Sequence, residues 1–194
     1  MRYSNKCSIP FFAQSGGHGF TSTIANVKNG NPINLRALNS TTISPGGEYA
    51  ISGGGVKGKE VIDMLWPFGK QTVTGVCECV GLTAVALGGG HGALQGYYGL
   101  ASDQLLSVRL VLANGSAITV SETERSDLFW ALRGADHNFG IVTSLSYRIH
   151  DIDMANGKDI WSYELFIYAA TPENVRAVYT QASKMVDDLQ EGIF

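Results

Sequence analysis

Charge is scarce in this sequence, and the little there is does not cluster. Charged residues make up 16% of the 194 positions, with 14 Lys and Arg against 17 Asp and Glu, for a net charge of −3. A chain that binds DNA or RNA by neutralising phosphates needs a basic patch or stripe, so no nucleic acid is expected as a partner. Cysteine is equally sparse. Cys7, Cys77 and Cys79 are too few and too unevenly placed for a disulfide framework, and their odd number leaves at least one thiol free or paired outside the chain. No apolar run reaches bilayer-spanning length, and the opening MRYSNKCSIPFF lacks the continuous apolar core of a signal peptide. No membrane partner is expected either.

What remains is apolar and rich in glycine. Hydrophobic residues at 44% indicate an ordered globular chain, long enough for one domain with a real core or for one domain and the start of another. The 24 glycines gather in clusters rather than in a repeat. The segment that organises the rest is 75–92, GVCECVGLTAVALGGGHG, whose only charge is Glu78. Its composition predicts a buried segment with bare backbone, in which main-chain N–H groups approach a phosphate-bearing cofactor. A tightly packed glycine turn between two core elements is the other reading of the same residues.

Taken in order, the chain predicts a strand over 8–14, a bare loop over 15–19, a short alternating piece over 33–35, and a strand at Tyr49, Ala50 and Ile51. A helix with Val61, Ile62 and Leu65 on its apolar face closes before Pro67. A short strand over 71–75 leads into the central segment. Alternating runs at 107–113 and 116–121 flank Asn114-Gly115, which signals a hairpin with a type I′ turn. Ser126 caps a helix that ends at Gly134, with Phe129 and Trp130 as core, and 141–149 alternates as a further strand. Beyond a boundary at 150, a strand over 160–168 and a helix opened by Thr171-Pro172-Glu173 begin a second unit. The apolar face of that helix includes Val175, Val178, Tyr179, Ala182, Met185, Val186 and Leu189.

Several motifs compete for a function. Gly53, Gly55 and Gly58 fit the dinucleotide pattern G-x-G-x-x-G between a strand and a helix, with Glu78 at the distance of a ribose-binding acid, so an NAD(P)-binding module is one reading. The same glycines with Lys59 fit the start of a P-loop, where Glu60 stands in place of the magnesium-holding hydroxyl. Cys77, Cys79, His18 and His91 do not have zinc-finger spacing, and no metal site is expected. No G-x-S-x-G elbow supports a serine hydrolase.

Five motifs in order carry a stronger signal: SGGHG at 15–19, C-x-x-V-G at 77–81, GGGHG at 88–92, YGLASDQLLSVRLVLANG at 98–115 and DLFWALRGADHNFGIVTSL at 127–145. Together they resemble the flavin-linked oxidases with a p-cresol methylhydroxylase-type FAD-binding domain, in the berberine bridge enzyme-like branch of fungi. The resemblance implies an α+β fold, an FAD-binding domain of two mixed α/β subdomains over 1–150. It implies that this domain is incomplete at its N-terminus and that only the start of a substrate domain follows over 151–194. It implies FAD as cofactor, held by Ser15, Gly16, Gly17, His18, Gly19, Cys77, Val80, Gly81, Gly88, Gly89, Gly140, Ile141 and Val142. His18 and Cys77 match the two residues that tether the flavin covalently in bicovalent members, while Cys79 is an ordinary core thiol.

The implied activity is hydride transfer from an alcohol, sugar or secondary-metabolite substrate to flavin, with oxygen as electron acceptor. No residue of this chain inherits the family's catalytic base. A non-catalytic remnant or an incomplete gene product that keeps part of the flavin fold is the alternative. The compartment stays open, since many members are exported by a signal that would lie upstream of Met1.

Overall fold

The computed structural model describes residues 1–19, 26–152 and 165–187. The chain opens with a one-turn helix, α1 (Arg2–Lys6), whose Ser4 is buried and whose Asn5 Nδ2 donates 2.6 Å to Ala113 O. Strand β1 (Phe11–Gln14) starts later than expected, because Ser8 takes a positive φ of 53° and breaks the extended run. It pairs in parallel with β2 (Asn31–Asn34), from Phe11 opposite Asn31 to Gln14 opposite Asn34.

The main sheet is antiparallel, in the order β3, β4, β8, β6, β7. Its strands are β3 (Thr41–Ile43), β4 (Tyr49–Gly53), β6 (Leu105–Val111), β7 (Ala117–Ser121) and β8 (Ile141–Arg148). Between β4 and β6 the chain forms α2 (Gly58–Leu65), the short strand β5 (Lys70–Gln71), α3 (Leu82–Leu87) and α4 (Gln95–Tyr98). Helix α5 (Ser126–Leu132) links β7 to β8. Strand β9 (His150–Asp151) then pairs with β5, and α6 (Pro172–Asp187) follows. None of the helices is long and apolar enough to cross a membrane among the described residues.

The core lies between the sheet and α2, α3 and α5. Val61 and Leu65 of α2 are four residues apart on one face, as are Leu82 and Ala86 of α3, and all four are buried. They meet Val108, Leu110, Leu145 and Tyr147 of β6 and β8. Each such aliphatic side chain contributes about 1.5–3 kcal/mol by leaving water. Tyr147 places its hydroxyl 2.8 Å from both Val73 O and Ala101 O, so its buried polar group is satisfied. The expected strand over 71–75 is correspondingly short. Past Gln71, side chains take over from the ladder, with Thr72 Oγ1 donating to Arg148 O and Tyr147 bonding Val73 O.

Three local expectations are corrected. The hairpin turn at Asn114-Gly115 is not type I′, since only Gly115 has a positive φ (81°). Gly115 N donates to Leu112 O and Leu112 N to Ser116 O, which makes a three-residue loop whose last residue is the left-handed one. The cap of α5 is Arg125 and not Ser126. A tight turn between Ser121 and Glu124 forces Arg125 to a φ of 59° just before the helix. Phe129 is buried but Trp130 is 80% exposed, because Phe129 and Leu132 fill the inward face and Trp130 points the other way.

Contacts of the first unit reach past residue 150, since Ile152 is buried and its N–H bonds Gly69 O. Of the strand expected over 160–168, positions 160–164 lie outside the described residues and 165–168 are exposed and not in a strand. Helix α6 forms as expected, yet Val175, Val178, Tyr179, Met185 and Val186 on its apolar face are exposed among the described residues.

Candidate functional site

The parallel pair β1 and β2 aims the loop that follows it. Pairing continues one step beyond the strands through Leu35 N to Gln14 O, so Ser15 leaves the pair at a defined place. There it meets the segment 79–81. A Cβ on Gly16 would lie 2.7 Å from Gly81 N and 3.1 Å from Cys79 O, and a Cβ on Gly81 would lie 2.4 Å from Ser15 Oγ. The two backbones touch, and neither position has room for a side chain. The structure therefore brings together two of the predicted motifs that are far apart in sequence.

The segment 77–81 is itself fastened to α2. Glu78 O accepts from Lys59 N and Val80 O from Gly58 N, both at 3.0 Å, while Leu82 N donates to Val56 O at 3.0 Å. These carbonyls satisfy donors in the first turn of α2 that would otherwise be unpaired. A third, Lys57 N, is held by Glu60 Oε2 at 2.8 Å, and Glu60 in turn takes a two-pronged contact from Arg36, whose guanidinium also bonds Gly55 O. The Arg36 hydrogen bond holds the Glu60 carboxyl below the usual carboxylate range, against an opposing effect of burial.

This arrangement uses up the dinucleotide motif. Cβ atoms on Gly53, Gly54 and Gly55 would fall 2.2, 2.1 and 1.9 Å from the carbonyl oxygens of Leu38, Val142 and Leu35. These glycines let the end of β4 pack backbone to backbone on β8 and on the connection between β2 and β3, and Glu78 points to solvent. A pyrophosphate at this turn would need the helix donors that the carbonyls of 78 and 80 already occupy.

The central segment is not buried throughout, contrary to the expectation from its composition. Val76, at 87% exposure, Cys77 and Glu78 project outward, because only Gly81 and the inner face of α3, Leu82, Thr83, Ala86 and Leu87, pack inward. Cys77 Sγ lies 3.0 Å from Cys79 Sγ. Hydrogen bonding from the Cys79 side chain lowers the Cys77 pKa, and the same contact, with burial, raises that of Cys79. Cys79 is thus half-buried and paired with Cys77, not an isolated core thiol. His18 is exposed, as is His91, whose Nδ1 lies 2.9 Å from Gln95 Oε1.

Gly88 and Gly89 sit at the far end of α3 from Gly81. Gly89 has a φ of 91° and faces open space, whereas its neighbour Gly90 packs on Ala101 and Val85 and Gly92 on Thr74 O. The loop is braced by Ser102 N to Gly89 O and Ala101 N to Gly90 O. Gly140 is half-buried, and Ile141 and Val142 are buried residues of β8 paired with Val111 and Leu110. A cavity of about 660 Å³ bounded by Lys70, Tyr98, Arg148 and His150 includes none of the predicted site residues.

Two hydroxyls test whether a cofactor fits. Ser15 Oγ, against Gly81, and Thr83 Oγ1, in the first turn of α3, are buried without a hydrogen-bond partner among the described residues. Each orphaned group costs about 1–3 kcal/mol, which a ligand carrying phosphate or carbonyl oxygens would recover. Bare backbone at Gly16 and Gly81 and two unpaired donors beside it suit a dinucleotide. Thr83 is the residue sequence reasoning missed, although a lone hydroxyl in the apolar run 82–87 was its visible sign.

The FAD binding domain family matches this sequence over residues 1–121. The FAD-linked oxidoreductase chry5 of Gibberella zeae is 42% identical over 186 residues, covering 96% of this chain and 35% of that protein. The FAD-linked oxidoreductase iacH of Pestalotiopsis fici is 48% identical over 150 residues, 77% of this chain and 29% of that one. Among solved structures, 6-hydroxy-D-nicotine oxidase from Arthrobacter nicotinovorans superposes with a TM-score of 0.71 at 38% identity, over 77% of this chain and 33% of its own. Glucooligosaccharide oxidase from Acremonium strictum, which carries a 6-S-cysteinyl, 8α-N1-histidyl FAD, gives a TM-score of 0.69 at 29% identity, over 76% and 31%. The chain spans about a third of the length of the curated relatives it matches.

Proposed function

Because the chain belongs to the FAD binding domain family of FAD-linked oxidoreductases, we propose that residues 15–19 and 77–83 hold FAD, with His18 and Cys77 as covalent tethers. The observation that carries this reading is the backbone contact of Gly16 with Gly81, flanked by the unpartnered hydroxyls of Ser15 and Thr83. The places of His18 in SGGHG and of Cys77 in C-x-x-V-G, together with the doubly tethered flavin named for glucooligosaccharide oxidase, support the attachment.

Each residue has a stated task. Ser15 Oγ and Thr83 Oγ1 donate hydrogen bonds to cofactor oxygens, and Gly16 and Gly81 keep side chains out of the way. The contact from Cys79 favours the thiolate of Cys77, the form of cysteine that makes covalent bonds. Carbonyls 78 and 80, anchored on α2, fix the height at which Cys77 projects. Bound flavin supplies a two-electron acceptor for hydride from an alcohol, sugar or secondary-metabolite substrate, with oxygen as the final acceptor. Similarity to chitooligosaccharide and xylooligosaccharide oxidases supports that substrate range. This reading gives the chain the cofactor-holding part of the reaction and assigns no residue as catalytic base.

The test is the intact mass and visible spectrum of protein produced with FAD, then denatured and washed. Retention of one FAD by the parent, by His18→Ala and by Cys77→Ala, with complete loss in the double variant, is the expected pattern. A colourless, unmodified protein after refolding with FAD overturns the proposal.

A further inference from the structure

The second cysteine of the loop is not itself a proposed tether of FAD, yet its sulfur lies 3.0 Å from that of Cys77. This proximity is built in. Cys77 O accepts from Val80 N, and the carbonyls at 78 and 80 are tied to Lys59 N and Gly58 N, so the turn that brings the sulfurs together is fastened to α2. Cys77 is exposed and open to a reagent, and Cys79 stands half-buried behind it. The two thiols are also unequal. Their mutual hydrogen bond lowers the Cys77 pKa and raises that of Cys79, so Cys77 is the attacking sulfur and Cys79 retains the proton.

We propose that Cys77 and Cys79 form a dithiol–disulfide pair, closed reversibly by exchange with a low-molecular-weight disulfide such as oxidised glutathione, and that closure withholds Cys77 from flavin attachment. In the first step the Cys77 thiolate attacks one sulfur of glutathione disulfide, forming a mixed disulfide and releasing one glutathione thiolate. Cys79 then loses its proton and attacks Cys77 Sγ, which expels the second glutathione. Two protein thiols are oxidised to one disulfide, and one glutathione disulfide is reduced to two thiols. An exposed pair so close in sequence belongs with labile, regulatory disulfides rather than structural ones. The gating consequence rests on the proposed role of Cys77 as a tether; the disulfide itself does not.

The experiment uses the full chain made under flavin starvation, so that Cys77 stays free. The protein is equilibrated in glutathione buffers of increasing oxidised fraction, quenched with acid and treated with iodoacetamide, and its mass and alkylated peptides are read. The expected result is loss of alkylation at Cys77 and Cys79 together, with a mass lower by two hydrogens, while Cys7 does not join them. In Cys79→Ser the exchange should stop at a stable glutathione adduct on Cys77. Reduced and oxidised His18→Ala proteins, whose only tether would be Cys77, are then incubated with FAD and denatured, and only the reduced form should retain flavin.

Independent alkylation of Cys77 and Cys79, or a wild-type chain that stops at the glutathione adduct as the Cys79→Ser variant does, overturns the pair. Equal flavin retention by the oxidised and reduced His18→Ala proteins overturns the gating. A disulfide that forms as expected in protein retaining no flavin in either state overturns the tether at Cys77 and with it the gating, while leaving the pair standing.

Discussion

Replacing Gly16 with alanine tests the contact on which the candidate site is built. The new methyl would lie 2.7 Å from Gly81 N, 3.1 Å from Cys79 O and 3.3 Å from the Val80 carbonyl carbon. Relaxed contacts of this kind lie at about 3.5–4.0 Å, so the two loops must part by roughly 1 Å. All three neighbours are backbone, and the Val80 carbonyl is held by Gly58 N of α2, so they cannot rotate away as a flexible side chain would. Overpacking of this sort costs about 1–3 kcal/mol. With a urea dependence of about 2 kcal/mol per molar, a cost of ~2 kcal/mol lowers the unfolding midpoint by roughly 1 M. Gly19→Ala is the control, because a Cβ there meets nothing within 4 Å among the described residues and its φ is not positive. Its midpoint should shift by less than the equivalent of about 0.5 kcal/mol. Urea unfolding of the flavin-free proteins measures both. Coincident curves for Gly16→Ala and Gly19→Ala would refute the claim that 15–16 and 79–81 are in backbone contact.

Three other perturbations separate cofactor binding from folding. Thr83→Val removes a buried hydroxyl that has no partner among the described residues, so urea unfolding of the flavin-free protein should show unchanged or raised stability, while the dissociation constant for FAD, measured in the tether-free His18→Ala/Cys77→Ala background, rises by about tenfold, the value of one hydrogen bond of ~1.4 kcal/mol. Phe129→Ala should destabilise by about 3–5 kcal/mol and Trp130→Ala by less than about 0.5, read by thermal unfolding, because only the first side chain is buried. The Glu60 carboxyl is depressed by Arg36, so its contribution is present above the unfolded value of about 4.3 and is lost as pH falls through the lower folded value. With both side chains about 30% exposed, that contribution is below ~1 kcal/mol, and Glu60→Gln should flatten the acid side of a stability-versus-pH curve by no more than this amount.

Much of the fold was legible because its signals are local. The alternation at 141–149 became the central strand β8, and Asn114-Gly115 marked the turn between β6 and β7. The apolar spacing of Val61 and Leu65 gave the buried face of α2, whereas Ile62, expected on the same face, is 45% exposed because it lies one residue round the helix from Val61. Where the reading erred, a neighbour decided. Trp130 looked like core because it is large and apolar, but one helix face was already filled by Phe129 and Leu132. Asn114 could have taken a left-handed conformation, yet the strands closed with Gly115 alone carrying it. The G-x-G-x-x-G pattern failed for a similar reason, since the same glycines that admit a pyrophosphate also admit the carbonyls of Leu35, Leu38 and Val142.

Sequence alone determined the types of the strongly patterned elements β4, α2, β6, β7, α5, β8 and α6, the glycine-rich loops and the ordered motifs that point to the FAD domain, because backbone preference, hydrophobic period and residue spacing are properties of neighbouring positions. Only the tertiary structure decided that Gly16 meets Gly81, that α2 spends its N-terminal donors on carbonyls 78 and 80, and that the hydroxyls of Ser15 and Thr83 are left buried and unpaired. Those are contacts between segments distant along the chain. They follow from how the sheet and helices share one core, which no local pattern encodes.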